Sequence, residues 1–408
     1  MELRSIFKNI FGNNSNTKQP STSTEIEIID GRKAVFTRYN GDHVNDYNVI
    51  TCVDAIARNA AKMHPIHLRS FADKTERLQD IIYTIVAKKP NELQNAYQFY
   101  YQVISNLMFY NDSFIYVQRD ENYKLTGLYP LDFNEGKLYE YNNKIWVKFK
   151  FGRNKERFVP YNDCIHLTRF VGMDGLSGGS SVPLIKVLSI KHVLDEGIVN
   201  AIKTTQSIRG ILKSTKAILK PEDVKRMRDQ FVKDFMDGEN TNGIGGLDAT
   251  TTFDPVEIKP TVASSDQIKN IDDKILSYFG LNEKILQSKY SEDDWNAFYE
   301  SVLEPIGIQM SLEFTDKIFT PTEKAFGNEI LFESNRLQYA SNKTKIELLR
   351  YGSNIFLIDE LREVFNVSPL PNGEGQKVLI DQNHQQTNEV DDSNNENEED
   401  EENEGKGN

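Results

Sequence analysis

The chain has two cysteines, Cys52 and Cys164, in 408 residues. That scarcity excludes a disulfide framework and fits a reducing compartment. No apolar run approaches the ~20 residues that a membrane span needs. The start, MELRSIFKNIFGNN, lacks the continuous apolar centre of a secretory signal. The expectation is a soluble protein, intracellular when made. A phosphate-binding loop is also missing. Gly243-Ile244-Gly245-Gly246 has no following Lys-Ser/Thr and no strand-to-helix setting, which argues against a motor or kinase. His64 and His67 have no carboxylate or cysteine placed to complete a zinc set, and in an extended segment their rings point to opposite faces. His166, in an apolar strand, reads as a satisfied core residue. Gly178-Gly179-Ser180-Ser181 lacks the Gly-x-Ser-x-Gly pattern of a nucleophile turn. Glu292, Asp293 and Asp294 fall in a first helical turn, where carboxylates complement the helix dipole. No basic patch or aromatic-basic RNA motif is present, and tight DNA binding needs many cations on one face. No catalytic residue, metal site or cofactor is expected.

What is present is aromatic content enough for a large core and a strongly uneven charge. The formal net charge is −13, but from Glu389 onward ten carboxylates face one lysine. That tail carries −9, so the rest carries only −4. The tail is low-complexity and expected to be disordered and solvated. At the other end Leu3, Ile6, Phe7, Ile10 and Phe11 share one helical face. A membrane-surface helix would fit that pattern. An arm docking on a neighbouring subunit fits better, because the linker at 13–24 gives it reach.

Between these ends the patterning is α+β. Short β-like stretches lead to a helix at 47–63 with Val49, Val53, Ile56 and Ala60 in register, then a strand at 65–68 and a short helix at 78–86. A helix over 91–109 carries Ala96, Phe99, Val103 and Leu107. Alternation then predicts strands at 114–117, 125–129, 138–141, 144–151 and 164–167, joined by Asn, Asp and Gly turns. A helix at 184–202 follows, then a small strand–helix–strand insert over 208–259. The insert's helix has Pro221 at its first position and a core face of Val224, Met227, Phe231 and Phe235.

From 264 to 319 the chain reads helix, stop, short irregular loop, longer helix. Ser264 and Gln267 have capping-box spacing, Ile268, Ile271, Ile275 and Tyr278 share a face, and Phe279-Gly280 ends the helix. Ser291 and Asp294 open the second helix, whose stripe is Trp295, Phe298, Val302, Ile306, Met310, Phe314 and Ile318. Pro305 removes a backbone donor inside it, so a kink is expected there. A helical unit over 335–366 precedes the tail.

With these elements placed, the chain resembles the portal proteins (head–tail connectors) of long-tailed bacteriophages over about 47–375. Lys89-Pro90-Asn91, a helix ending at Leu107, then Asn111-Asp112-Ser113-Phe114-Ile115-Tyr116-Val117 is similar to the family's "Pro-Asn … Gly-Asn-Ala-Tyr" passage. Asn111 replaces the usual glycine, and asparagine also visits the left-handed region. Leu128-Tyr129-Pro130-Leu131 follows in order. Ile165-His166-Leu167 with Gly175-Leu176-Ser177-Gly178 and Ser180 resembles the "Ile-His … Gly-x-Ser" turn. Ser207-Ile208-Arg209-Gly210-Ile211-Leu212-Lys213 resembles the strand after the first stem helix, without the usual preceding Asn-Gly. Tyr278-Phe279-Gly280-Leu281 resembles "Phe-Gly-Val-Pro", with Asn282 for proline. Ile358-Asp359-Glu360-Leu361-Arg362 through Pro369 and Pro371-Asn372-Gly373 resembles the crown segment, with Asp359 for asparagine.

The resemblance implies a portal-protein fold, without enzymatic activity. Its parts would be an N-terminal arm and linker (1–40), an α+β wing (41–183), a stem helix (184–206) and a small α/β clip (207–260). A second stem helix (261–281), a tunnel loop (282–291), a long kinked wing helix (292–320), a helical crown (321–375) and the acidic tail (376–408) would follow. It further implies a dodecameric ring at one capsid vertex of the virion, assembled in the host cytoplasm. Double-stranded DNA would be packaged and ejected through that ring. Terminase, a head–tail adaptor, and the major capsid and scaffold proteins would be its partners. Lys284, Gln287, Ser288, Lys289 and Tyr290 would face DNA, bound weakly and without sequence preference. A near-neutral body suits a conduit, because deep phosphate wells would stall sliding. Two other classes stay open: a monomeric phage adaptor or scaffold, and a DNA-processing enzyme, which would need a metal or phosphate constellation.

Overall fold

The structure is a computed structural model describing residues 42–71, 74–152, 155–172, 174–205, 210–214, 220–236, 251–255, 264–333, 342–352, 355–365 and 367–378, with short strands β1 (Thr24–Glu25) and β2 (Val35–Thr37). The apolar face at Leu3–Phe11 and the acidic tail from 379 lie outside the described residues. So does the Gly243–Gly246 run.

Helix α1 (Tyr47–Ala60) starts at Asp46, whose carboxylate accepts from the Asn48 and Val49 N–H groups. Its predicted stripe is fully buried, together with Cys52, Ala55 and Ala57. Strand β3 (His64–Phe71) pairs antiparallel with β4 (Lys74–Leu78) on one side and with Asn328–Glu333 on the other. Leu78, expected to open a helix, ends β4 instead. The helix α2 begins at Ile81 (Ile81–Tyr83), capped by Asp80, and runs into a π turn, Thr84–Lys88. Helix α3 (Ala96–Tyr110) starts five residues later than the periodicity suggested. Asn91 closes a local turn by accepting from Leu93 and Gln94, so the helix waits for the Asn95–Gln98 capping box.

The strands predicted between 114 and 167 fall in two antiparallel sheets. In one, β5 (Asp112–Arg119) lies between β6 (Leu125–Pro130) and β10 (Cys164–Thr168). In the other, β7 (Glu135–Tyr141), β8 (Lys144–Phe151) and β9 (Lys155–Pro160) form a meander, with β1 and β2 on the outer side of β7. Strand β9 was not anticipated, because KERFVP has little alternation. Phe114, Phe133 and Phe149 pack edge-on in a core between these sheets, distinct from the larger core under α1 and α3.

Helix α4 (Val182–Thr205) buries Leu184, Leu188 and Ala201, while Ile190 is 54% and Val193 65% exposed. The insert pairs β11 (Gly210–Ser214) with β12 (Thr251–Pro255), and α5 (Pro221–Met236) lies between them in sequence. Its expected core face is not buried in the single chain: Val224 is exposed, Met227 and Phe231 are half-buried, and the side chain of Phe235 is outside the description. A two-stranded sheet is too small to cover a four-turn helix.

Helix α6 (Ser265–Phe279) has the predicted Ser264–Gln267 capping box and ends at Gly280 with φ 69°. After a short helix, α7 (Glu283–Leu286), α8 (Glu292–Phe298) leads through a π turn, Tyr299–Leu303, into α9 (Glu304–Ile318). The break anticipated at Pro305 therefore takes a specific form. The turn before the proline widens to i→i−5 bonding, with the Glu304 N–H on the Tyr299 carbonyl. Short α10 (Pro321–Ala325) precedes β13 (Asn328–Glu333), which returns to β3. That stretch, expected to open the crown, is thus an edge strand of the main body. Beyond it lie α11 (Asn342–Gly352) and α12 (Ile358–Val364).

Candidate functional site

The segment from α6 to α9 holds every residue expected to meet a ligand. The stretch 282–291 is more ordered than an irregular loop. Asn282 accepts from the Ile285 N–H at 2.9 Å, and Ile285 is 2% exposed in the main core. Its sequence signal was the Asn282–Ile285 capping spacing with an apolar pair, Ile285-Leu286. The chain then reverses at Ser288, at φ 57°, while the Lys289 N–H reaches the Lys284 carbonyl at 2.9 Å.

The five expected side chains divide into two groups. Lys284 Nζ lies 3.0 Å and 3.1 Å from the two carboxylate oxygens of Asp294, so its charge is matched within the chain. Gln287 donates to Glu283 Oε1. Ser288, Lys289 and Tyr290 are exposed, and Lys289 makes no ion pair among the described residues. Tyr290 leans on Trp295, with ring centroids 5.4 Å apart. The turn thus presents one unmatched cation on a fixed support.

Asp294 is the clasp of that support. The backbone N–H and hydroxyl of Ser291 donate to it, Lys284 adds its charge, and together they hold its carboxyl down at about 2. A depressed carboxylate stabilises above its unfolded pKa of ~3.9 and loses that contribution as pH falls through the folded value. The clasp should therefore be intact at neutral pH and release between about pH 4 and pH 2. Lys284→Ala should raise the Asp294 midpoint measured by carboxyl NMR titration. An unchanged midpoint would show that Lys284 does not hold the turn.

A second cluster, which the sequence reading did not assemble, fixes α6 to the sheets. Asn111 ends α3 at φ 61° with its side chain fully buried, donating to the Gly179 carbonyl at 2.8 Å and the Ser181 hydroxyl at 3.2 Å. The next residue, Asp112, accepts from the Gly178 N–H at 2.8 Å and from His166 Nε2 at 3.0 Å. His166 also meets the Tyr161 hydroxyl and stacks on Phe114 at 3.9 Å, so it is a structural histidine as expected. Arg169 donates to the Tyr278 carbonyl and lies against the rings of Phe170, Tyr278 and Phe279. Burial pushes its guanidinium down to about 10. Only Asn111 and the Gly178 turn had a sequence signal; Arg169 had none.

The described residues offer little support for covalent chemistry. Burial pushes the Cys52 thiol up to about 12 and raises that of Cys164 as well, so neither is a ready nucleophile. His64 meets the Tyr83 hydroxyl, whereas buried His67 lies between Asp80 and Asn328, on the opposite face of β3. Among the described residues no group of His, Cys, Asp or Glu is placed to hold a metal ion, and no helix is long and apolar enough to cross a membrane.

The chain is similar in sequence and in fold to known proteins. A "Probable portal protein" of Lactococcus phage p2 is 25% identical over 248 residues, which cover 58% of this chain and 62% of that protein. The aligned part thus spans less than two thirds of that relative. Among solved structures, the fold is similar to a chain in the neck of a native gene transfer agent particle computed with C12 symmetry. There the TM-score is 0.52 and the identity 14%, with 83% of this chain and 97% of that chain covered. An HK97-family phage portal protein from Corynebacterium diphtheriae gives a TM-score of 0.50 at 13% identity, over 75% of this chain and 99% of that one. Residues 48–366 match the family described as "Phage portal protein", which is most of the chain. The chain belongs to the phage portal protein family.

Proposed function

We propose that twelve copies of this chain form a ring at one vertex of a phage capsid, through which double-stranded DNA is packaged and later ejected. The observation that carries the reading is α4, a 24-residue helix whose apolar residues Ile190, Val193, Val199 and Ile202 are exposed in the single chain. Such a surface calls for cover by further copies, and closed rotational symmetry covers it without leaving an open end. The C12 symmetry named for the similar neck structure supports twelve as the number. The ring acts as a structural conduit and not as an enzyme. Terminase docks on it during packaging and a head–tail adaptor afterwards, with the insert at 207–260 as their platform. Capsid and scaffold proteins surround it, in the host cytoplasm during assembly and then in the virion.

Within the ring, the 282–291 turn faces DNA. Lys289 is its phosphate contact, with Ser288 and Tyr290 as polar neighbours. Lys284 and Gln287 shape the turn. One cation per subunit attracts phosphate without reading sequence and without holding it in a deep well. The crown then begins near α11, since β13 belongs to the wing. Negative-stain microscopy of the purified protein should show rings with a central hole. A strictly monomeric species across concentration and salt would overturn the ring and favour an adaptor. Lys289→Glu should leave rings intact and lower DNA packaging by at least about tenfold, because it turns an attractive ring of charge into a repulsive one. Normal packaging would remove the turn from the DNA path.

A further inference from the structure

Between α1, α6 and α7 runs a groove of about 790 Å³, a size that can enclose side chains of a partner. Half-buried Ile268, Leu276 and Leu286 make its floor, with buried Cys52 and Ile275 beneath them. Its rim carries three carboxylates, Asp272, Asp273 and Glu283, against one cation, Lys269. Asp272 is ion-paired with Lys191, whereas Asp273 and Glu283, the latter accepting from Gln287, make no ion pair among the described residues and form the acidic edge. An apolar floor with an acidic edge is complementary to an amphipathic helix with basic flanks.

The sequence supplies a segment with that pattern of residues. In residues 3–11, Leu3, Ile6, Phe7, Ile10 and Phe11 fall on one face, and Arg4 and Lys8 border it one turn apart. Residues 13–23, ahead of β1, extend to at most about 40 Å. We propose that this N-terminal arm docks in the α1–α6–α7 groove. Its apolar face packs on Ile268 and Leu286, and Arg4 and Lys8 lie against Asp273 and Glu283. Because α7 opens the exposed 282–291 turn, the arm braces that turn from behind. The contact depends on the groove and the arm, not on the ring.

The test places a photoreactive benzoylphenylalanine at Phe7 of the full-length protein and maps the irradiated products by mass spectrometry. Crosslinks to α1, α6 or α7 are expected. Linked chains on a denaturing gel would place the arm in a neighbour's groove, and an unlinked chain mass would place it in its own. Both outcomes support the docking. Asp273→Lys with Glu283→Lys, both at exposed positions, should lower the yield at least about fivefold, and adding Arg4→Glu with Lys8→Glu should restore it. Crosslinks confined to other surfaces, no crosslinks, or a yield indifferent to charge reversal would each overturn the proposal.

Discussion

Gly178→Ala should be among the most damaging single substitutions in this chain, despite adding one methyl group at the surface of a turn. A Cβ there would lie 2.1 Å from the Asn111 carbonyl oxygen and 2.5 Å from its carbon. Both are backbone atoms of a residue already held at φ 61°, so they cannot swing aside as a side-chain tip would. Nor can the turn withdraw. The Gly178 N–H is bound to Asp112, and the Gly179 N–H to the Arg169 carbonyl at 3.0 Å. Relief requires breaking a hydrogen bond to a charged group or moving Asn111, whose side chain ties Gly179 and Ser181 to the end of α3. We expect a loss of about 3 kcal/mol or more in stability, read from the urea midpoint. Gly175→Ala is the control: its φ is 69° but nothing lies within 4 Å of a new Cβ. It should cost only the left-handed strain of about 1–2 kcal/mol. Equal effects at both positions would show that the close approach to Asn111 is not what holds the junction.

The same junction shows where sequence reading succeeds and where it stops. Local signals were legible. The Ser264–Gln267 and Ser291–Asp294 capping boxes lie where their spacing put them, and of the predicted stripe Phe298, Ile306, Met310, Phe314 and Ile318 are buried, with Trp295 and Val302 half-buried. These depend on residues three or four apart, which a sequence displays directly. Strand β13 was missed because NEILFE is a strand only through its ladder with β3, some 260 residues away. Arg169 was missed for the same reason, since its partners arrive from α6 and from the turn beside it. At Pro305 the sequence announced an interruption but not its form, because a π turn depends on how neighbouring carbonyls are re-paired. The α5 stripe erred differently. Its periodicity was real, but periodicity marks a face that needs cover and does not say whether the same chain provides it. At 282–291 the opposite happened: polar residues suggested irregularity, and one buried side chain, Ile285, imposed order.

Phe314→Ala should rival Gly178→Ala by another mechanism. Phe314 is fully buried in the middle of α9, and its ring lies 5.0 Å from Phe332 on β13 at 74° and 6.1 Å from Tyr100 on α3. Tyr100 is held in turn by donating to the Val86 carbonyl at 2.9 Å. Three elements therefore meet at one ring, α3 far in sequence from α9 and β13, and all are pinned: β13 by its ladder with β3 and its bonds to Ser311 and Thr315, α3 by its capping box, and α9 by Gln309 bonds to Thr168 on β10. Elements pinned this way cannot close over a lost side chain, so the cavity persists and the cost should approach the upper end of the usual 3–5 kcal/mol. Leu312→Ala, two residues away on the same helix but 68% exposed, should stay within about 0.5 kcal/mol of the parent. Phe314→Leu should fall between them, at about 1.5 kcal/mol, because most of the volume is kept. A loss below about 1.5 kcal/mol for Phe314→Ala would mean that the site collapses freely. Then the middle of α9 would not be rigid, and the 282–291 turn would rest on buried Ile285, the Asn282 cap and the Lys284–Asp294 clasp.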